Sequence, residues 1–163
     1  IGKRGYAPFV EEQIEKEKNV KVEVKEGDLR LFPSGELLGK HQGIHHFTYG
    51  QRKGLGVSYS VPLYVIRIDP NEHVVWLGEE KHLYSQTMKL KNVSLLDQVS
   101  CGETLKVKIR FQHQGAWARV QKTEEGDSDQ YLIHFLEPQR AITPGQAAVF
   151  YRDRQLLGGG WIA

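Results

Sequence analysis

The chain has 163 residues, with 39% hydrophobic and 26% charged side chains and a formal net charge of +2. These values are typical of a globular protein in water and indicate one ordinary domain or two small ones. No apolar run approaches the roughly 20 residues of a membrane-spanning helix, and the one cysteine, Cys101, excludes a disulfide framework and a multi-cysteine zinc site. We therefore expect a cytoplasmic protein that does not act at a membrane.

The first 41 residues predict a helix followed by a β-hairpin. Residues 6–18, "YAPFVEEQIEKEK", place apolar side chains such as Val10 and Ile14 one helical turn apart, and Pro8 suits the first turn of a helix. Residues 28–41, "DLRLFPSGELLGKH", have two apolar stretches on either side of a Pro-Ser-Gly turn. We interpret residues 1–60 as a small α+β segment built on these elements.

From residue 61 onward the pattern is that of short strands separated by turns. The segment "TLKVKIRF" alternates strictly between apolar and basic side chains, which predicts a half-buried antiparallel strand with a cationic outer face. Its apolar side comprises Leu105, Val107, Ile109 and Phe111, and its basic side comprises Lys106, Lys108 and Arg110. Taken together, the sequence predicts a mainly β protein in which residues 61–163 form an antiparallel barrel of six or seven strands.

The segment "FTYGQRKGLG", residues 47–56, is rich in glycine and carries the adjacent cations Arg52 and Lys53. A nucleotide-binding glycine loop leads from a strand into a helix, whose N-terminal amides hold the phosphate. Here the β-branched Val57 and then Pro62 follow, which indicates strands rather than a helix. We therefore expect no ATP site of its own in this segment, whereas a loop that offers Arg52 and Lys53 to an RNA backbone needs no helix.

Acidic side chains are missing from two long stretches, residues 37–68 and 104–123. Both stretches carry lysines and arginines, so together they predict a surface that attracts phosphates. The alternative, that these cations are solvent-exposed side chains on the outer faces of strands and bind nothing, is equally compatible with the sequence.

Two features that resemble catalytic or metal sites have simpler explanations. The histidines of "KHQGIHHF" lack neighbouring cysteines or carboxylates and do not have a helical spacing, so we expect no metal site. Cys101 has no histidine close by in the sequence and is expected in a loop or as a small core residue. The residues themselves therefore predict a nucleic-acid-binding barrel without a catalytic constellation.

Five segments in fixed order carry a resemblance to a known family: "HFTYGQRKGLG", "PLYVIRID", "VKIRF", "AITPGQAAVFY" and "LLGGGWI". Their order and spacing resemble those of the bacterial and organellar tRNA-specific 2-thiouridylases. The opening "IGKRGYAPFVEEQI" is similar to that family's "FIGxRxFxxFL" segment, so the resemblance spans the whole chain. It implies an enzyme that replaces the 2-oxygen of the wobble uridine of certain tRNAs by sulfur.

In the family, an N-terminal adenylating domain holds ATP and magnesium. Two cysteines of the enzyme take part in the chemistry: one carries a persulfide, with sulfur from a sulfur-donor protein, and the other releases the sulfur. A central domain and a barrel similar to those of translation factors follow. The persulfide cysteine lies in a "CFIG"-like segment, and this sequence begins at the "IG". We therefore expect a fragment with no catalytic, cofactor-binding or metal-binding residue, which is inactive alone. The older family label of tRNA methyltransferase is not supported, because no Rossmann glycine turn follows a strand.

The resemblance also implies which residues contact tRNA. Arg110 and Phe111 match an Arg-Tyr pair that contacts tRNA in the family, and Gln146 matches a further contact position. Arg52 and Lys53 belong to the central motif and either contact phosphates or brace the catalytic domain. The expected partner is the anticodon stem-loop of tRNA and not DNA. The alternative function is a non-catalytic RNA-binding module similar to the barrels of translation factors. Alternation places Phe111 in the core, whereas the resemblance makes it a residue that contacts tRNA through its stacking face, so both remain open.

Overall fold

The structure is a computed structural model that describes residues 25–123 and 130–163, so the helix predicted at residues 6–18 lies outside the described residues. The chain divides into two compact units between Glu80 and Lys81. The strands of the first unit are β1 (Gly27–Leu31), β2 (Leu37–His41), β3 (Tyr64–Asp69) and β4 (Val74–Gly78). Those of the second unit are β5 (Tyr84–Leu95), β6 (Glu103–Lys108), β7 (Ala116–Lys122), β8 (Tyr131–Arg140), β9 (Ala147–Arg152) and β10 (Gln155–Ile162). Short 3₁₀ turns cover Ile44–His46 and Glu80–Leu83.

The first unit is a four-stranded mixed sheet with the strand order β2-β1-β4-β3. The hairpin predicted at residues 28–41 is confirmed as β1 and β2, and a second antiparallel hairpin joins β3 to β4. The two hairpins meet because β1 pairs in parallel with β4. The central strands bury Leu29, Val75 and Leu77, which form a small core with Val65 of β3.

The parallel pairing of β1 with β4 places the domain boundary near residue 80 and not at residue 61. The sequence prediction began the barrel at residue 61, which assigned β3 and β4 to it, whereas both strands complete the sheet of the first unit. The cause is the parallel pairing between β1 and β4, which joins strands more than 40 residues apart and leaves no local signal in the sequence.

The second unit is a closed six-stranded antiparallel barrel with the order β10-β5-β8-β7-β6-β9, and β9 pairs with β10 to close it. The prediction of a mainly β protein with a barrel of six or seven strands is therefore confirmed. Inward side chains such as Val107, Ile133 and Phe150 are fully buried, so they fill the interior of the barrel. In residues 25–123 and 130–163, no helix combines the length and apolar character that spanning a membrane requires.

Candidate nucleic-acid interface

Two loops emerge at the same end of the barrel, and they carry the three candidate residues of this unit. The end of β6 lies beside the start of β9, because Lys108 pairs with Val149, and β7 and β8 are antiparallel to their neighbours. The β6–β7 loop, residues 109–115, and the β8–β9 loop, residues 141–146, therefore leave the barrel together. We call this end of the barrel the loop end.

Phe111 is almost completely exposed at the loop end. The alternation prediction is confirmed for Leu105, Val107 and Ile109, each at most 1% exposed, and wrong for Phe111, which is 95% exposed. The reason is that β6 ends at Lys108, so the alternation of a strand no longer determines which way later side chains face. A fully exposed aromatic ring loses the hydrophobic stabilisation of burial and is therefore a candidate for contact with a ligand.

Arg110 ties the loop that carries Phe111 to the neighbouring strand. Its Nη1 donates a hydrogen bond of 3.2 Å to the carbonyl oxygen of Arg140, at the end of β8. A tight turn follows, in which the N–H of His113 donates to the carbonyl oxygen of Arg110 over 3.1 Å. Among the described residues this is the one hydrogen bond of the guanidinium group, which has five N–H donors, so Arg110 has donors to offer to an outside acceptor.

His113 braces the same loop from inside. The backbone N–H of Gly115 donates to Nδ1 of His113 over 3.3 Å, so Nε2 carries the proton and donates to Oε1 of Gln139 over 3.1 Å. The amide of Gln139 is itself oriented, because its Nε2 donates to the carbonyl oxygen of Glu137 over 2.8 Å. Residues 110–115 are thus fixed to β8 at two points, and Phe111 projects from a braced loop.

Sequence reasoning missed His113 and Gln139, although a signal for His113 was present. The tripeptide "HQG" occurs twice, at residues 41–43 and 113–115. In both copies the glycine N–H donates to Nδ1 of the histidine, and Nε2 reaches a distant acceptor, which for His41 is the carbonyl oxygen of His73 at 3.1 Å. His41 is thus a buried histidine with both ring nitrogens engaged, which gives it a structural role.

Gln146 lies in the second loop of the loop end, and its side chain is exposed. Gly145, with φ of 82°, allows the tight turn in which the N–H of Gln146 donates to the carbonyl oxygen of Thr143. The backbone of Ile162 in β10 holds this turn from both sides, through bonds of 2.8 Å to Gly145 and Gln146. The structure therefore places Arg110, Phe111 and Gln146 at one end of the barrel, on two separately anchored loops.

Arg52 and Lys53 belong to the first unit and are exposed. Their loop is held by Gln51, whose side chain accepts from the N–H of Thr48 and donates to the carbonyl oxygen of Lys53, both over 2.9 Å. Leu55 enters the core of the first unit. Because Gly54 and Gly56, with φ of 71° and 72°, turn the chain on both sides of Leu55, the glycines of this segment have a structural role. Neither cation forms an ion pair with a residue that the structure describes.

The lone cysteine and the metal-ligating residue types were the other groups considered from the sequence. Cys101 is an exposed free cysteine in the turn before β6. Residues 25–123 and 130–163 contain no group of three histidine, cysteine, aspartate or glutamate residues that could hold a metal ion.

The two HQG histidines predict a pH dependence of stability. Burial lowers the pKa of His41 and of His113, and the charges of Arg110 and Lys108 lower the pKa of His113 further, although the bond to Gln139 opposes this. Since the pKa of an unfolded histidine is about 6.5, their stabilisation is complete above about pH 6.5 and is lost as the pH falls through that value towards the lower folded pKa. We expect the free energy of unfolding to fall between about pH 7.5 and pH 5.5, and to fall less in His113→Gln. Denaturant titrations at the two pH values measure it, and an equal fall in both proteins would contradict this role of His113.

Comparison with known proteins identifies both units. Residues 14–79 match the family model of the tRNA methyl transferase PRC-barrel domain, and residues 85–162 match that of the aminomethyltransferase beta-barrel domain. The two matched ranges separate at the structural boundary near residue 80.

Several curated relatives share the name tRNA-specific 2-thiouridylase MnmA. The protein of Acidobacterium capsulatum is 47% identical over 133 residues, which cover 79% of this chain and 35% of the relative. The proteins of Pelobacter propionicus and Solibacter usitatus are 42% and 44% identical and cover 90% and 96% of this chain, but 40% and 42% of the relatives. The chain thus spans about two fifths of the length of the relatives it matches. On these matches over both units, the chain belongs to the tRNA-specific 2-thiouridylase family.

Proposed function

We propose that the loop end of the barrel binds the anticodon loop of a tRNA and positions it for 2-thiolation of the wobble uridine. The observation that carries this proposal is the 95% exposed ring of Phe111, held on a loop that Arg110 and His113 brace against β8. A rigid, exposed aromatic has little entropy to lose on binding, so most of the stacking energy appears as affinity.

The chemistry of an anticodon loop fits this surface. Bases in RNA loops are unpaired and are recognised by stacking on aromatic rings and by hydrogen bonds to their edges. An enzyme that modifies such a base must first take it out of the stack, which leaves neighbouring bases without a partner. Phe111 supplies a stacking face, Arg110 supplies charged donors for phosphates, and the Gln146 amide supplies both a donor and an acceptor.

The chemical step belongs to the part of the relatives that this chain does not span. We propose that ATP and magnesium bind there, that a cysteine persulfide loaded by a sulfur-donor protein delivers the sulfur, and that the enzyme acts in the cytoplasm. The described residues do not fit ATP or magnesium, because "FTYGQRKGLG" leads into β3 rather than a helix and no cluster of carboxylates lies near it. The contribution of these residues is therefore binding and orientation of the RNA.

For Arg52 and Lys53 two assignments remain, contact with tRNA phosphates or with the catalytic domain of the full-length enzyme. Either contact requires that the two cations are exposed and form no ion pair within the described chain. It also requires that their loop is held in place. Gln51 and Leu55 provide such a loop.

We predict that the chain binds an anticodon stem-loop weakly and in a salt-dependent manner. Each phosphate that the protein neutralises contributes a slope of about −0.7 to −0.9 in a plot of log affinity against log salt concentration. A titration of the labelled stem-loop at about 50 mM and about 200 mM salt measures this slope. No binding, or binding that is insensitive to salt, would contradict the proposal.

A further inference from the structure

Outside the loop end, a second set of basic and aromatic side chains lies on the outer face of three neighbouring strands. The inward residues of β6, β7 and β8 are buried, and the residues between them face outward. We call the outward side chains Lys106, Lys108, Trp117, Arg119 and His134 the basic wall.

The strand register makes the basic wall continuous. Lys106 pairs with Trp117 across β6 and β7, and Arg119 pairs with His134 across β7 and β8. Directly paired residues have Cβ atoms about 4.5–5.5 Å apart. Trp117 is half exposed, which adds an open indole ring to the cations. In the described ranges no ion pair is formed by the three cations Lys106, Lys108 and Arg119.

A depression in the surface lies beside Arg119. Its volume is about 820 Å³, and its lining includes Thr104, Gln121 and His134 with Arg119. None of its lining residues is acidic. Hydroxyl, amide, imidazole and guanidinium groups that surround an acid-free depression are the donors that a phosphate accepts from.

The basic wall leads towards the loop end. A Cβ atom placed on Gly115 would lie 3.0 to 3.3 Å from three carbons of the Lys106 side chain, so that side chain lies over Gly115. Gly115 closes the loop that carries Arg110 and Phe111. The cation of Lys106 therefore connects the wall to the site proposed for the anticodon loop.

We infer that the basic wall binds the phosphate backbone of a paired RNA stem while the loop end holds the unpaired loop. The inference rests on the proposed function, and it adds a second surface and a second RNA structure to it. Paired RNA is recognised mainly through its backbone and 2′-hydroxyls. Lys106 and Lys108 are two residues apart on β6, which separates their backbone positions by about 6.6 Å along the strand. Such a regular row of cations suits a row of phosphates. Trp117 offers its indole N–H and an apolar face for a ribose beside this row.

Two RNAs separate the basic wall from the loop end. One is the complete anticodon stem-loop, and the other is a single strand with the loop nucleotides alone. We expect Arg119→Ala to weaken binding of the stem-loop about fivefold and to reduce its salt slope by about one, with little change for the single strand. Phe111→Ala is expected to weaken binding of both RNAs. The matched control is Lys91→Ala, which removes an exposed cation from β5, outside the wall.

The outcomes distinguish the two proposals. If Arg119→Ala behaves like Lys91→Ala on the stem-loop while Phe111→Ala weakens it, the wall inference is wrong and the proposed function stands. If Arg119→Ala weakens stem-loop binding and Phe111→Ala has no effect, the wall binds RNA and the role of the loop end is wrong. Absence of binding to either RNA by the unaltered chain overturns both.

Discussion

Replacement of Phe111 by alanine is expected to weaken anticodon stem-loop binding at least about fivefold without changing the stability of the barrel. Stacking of a base on an aromatic ring contributes about 1–3 kcal/mol, which corresponds to roughly 5- to 150-fold in affinity. The fold is unaffected because the ring is 95% exposed and contributes nothing to the core. Titration of the labelled stem-loop, with thermal unfolding of the same samples, measures both quantities.

Leu96→Ala is the matched control, because Leu96 is 71% exposed and follows β5 at the opposite end of the barrel. Its removal tests whether any exposed apolar side chain affects the affinity. Phe111→Tyr keeps the stacking face and adds a hydroxyl, so its affinity should match or exceed that of the unaltered chain. Equal affinities of Phe111→Ala and Leu96→Ala would show that Phe111 is not a stacking residue.

The same reasoning applies to Arg110 in the full-length enzyme. We expect Arg110→Ala to lower tRNA thiolation while the protein remains folded, because Arg110 is exposed and its side chain makes one hydrogen bond in the described structure, to the carbonyl oxygen of Arg140 at the end of β8. Unchanged thiolation would remove Arg110 from the site.

Alanine at Gly158 or Gly159 is expected to destabilise the barrel by about 2 kcal/mol or more. A Cβ atom at Gly158 would overlap the carbonyl oxygen of Ser94 in β5, and one at Gly159 would overlap that of Ala148 in β9. Both clashes are with backbone, which cannot move without breaking the pairing of β10 with its neighbours. Gly158 carries an additional cost, because its φ of 140° disfavours side chains.

Gly102→Ala is the control for backbone strain without overlap. Gly102 has φ of 76°, and a Cβ atom there would have no neighbour within 4 Å. We expect it to cost about 1 kcal/mol, clearly less than Gly159→Ala, whose cost comes from overlap alone. Chemical denaturation of the three variants gives the comparison, and equal losses for Gly102→Ala and Gly159→Ala would argue against a tight backbone approach at β10.

The parts of the fold that were predictable are those encoded by neighbouring residues. Alternation identified the buried face of β6, and the Pro-Ser-Gly turn identified the β1–β2 hairpin. The parallel pairing of β1 with β4 was not predictable, because it depends on burial between distant segments. The burial predicted for Phe111 was wrong for a related reason, because alternation carries no information about where a strand ends.

The candidate site was predictable only in its residue types. The sequence drew attention to cations and glycines, and the resemblance to a family selected Arg110, Phe111 and Gln146 among them. The loop that carries Arg110 and Phe111 is held in place by the hydrogen bond between His113 and Gln139, which are 26 residues apart. A hydrogen bond between such distant side chains follows from the barrel register and not from a motif.

Closure of the barrel by β10 sets an order for folding. β5 is the first strand of the barrel to leave the ribosome, yet one of its two partners is β10, the last. Until residues 155–162 are available, β5 and β9 both present unpaired edges, which are the features through which β proteins aggregate. Among the described residues, the strands of the first unit pair only with one another, so their sheet can form earlier. Synthesis slowed or stopped within β10 would therefore leave a complete first sheet followed by an open, aggregation-prone barrel.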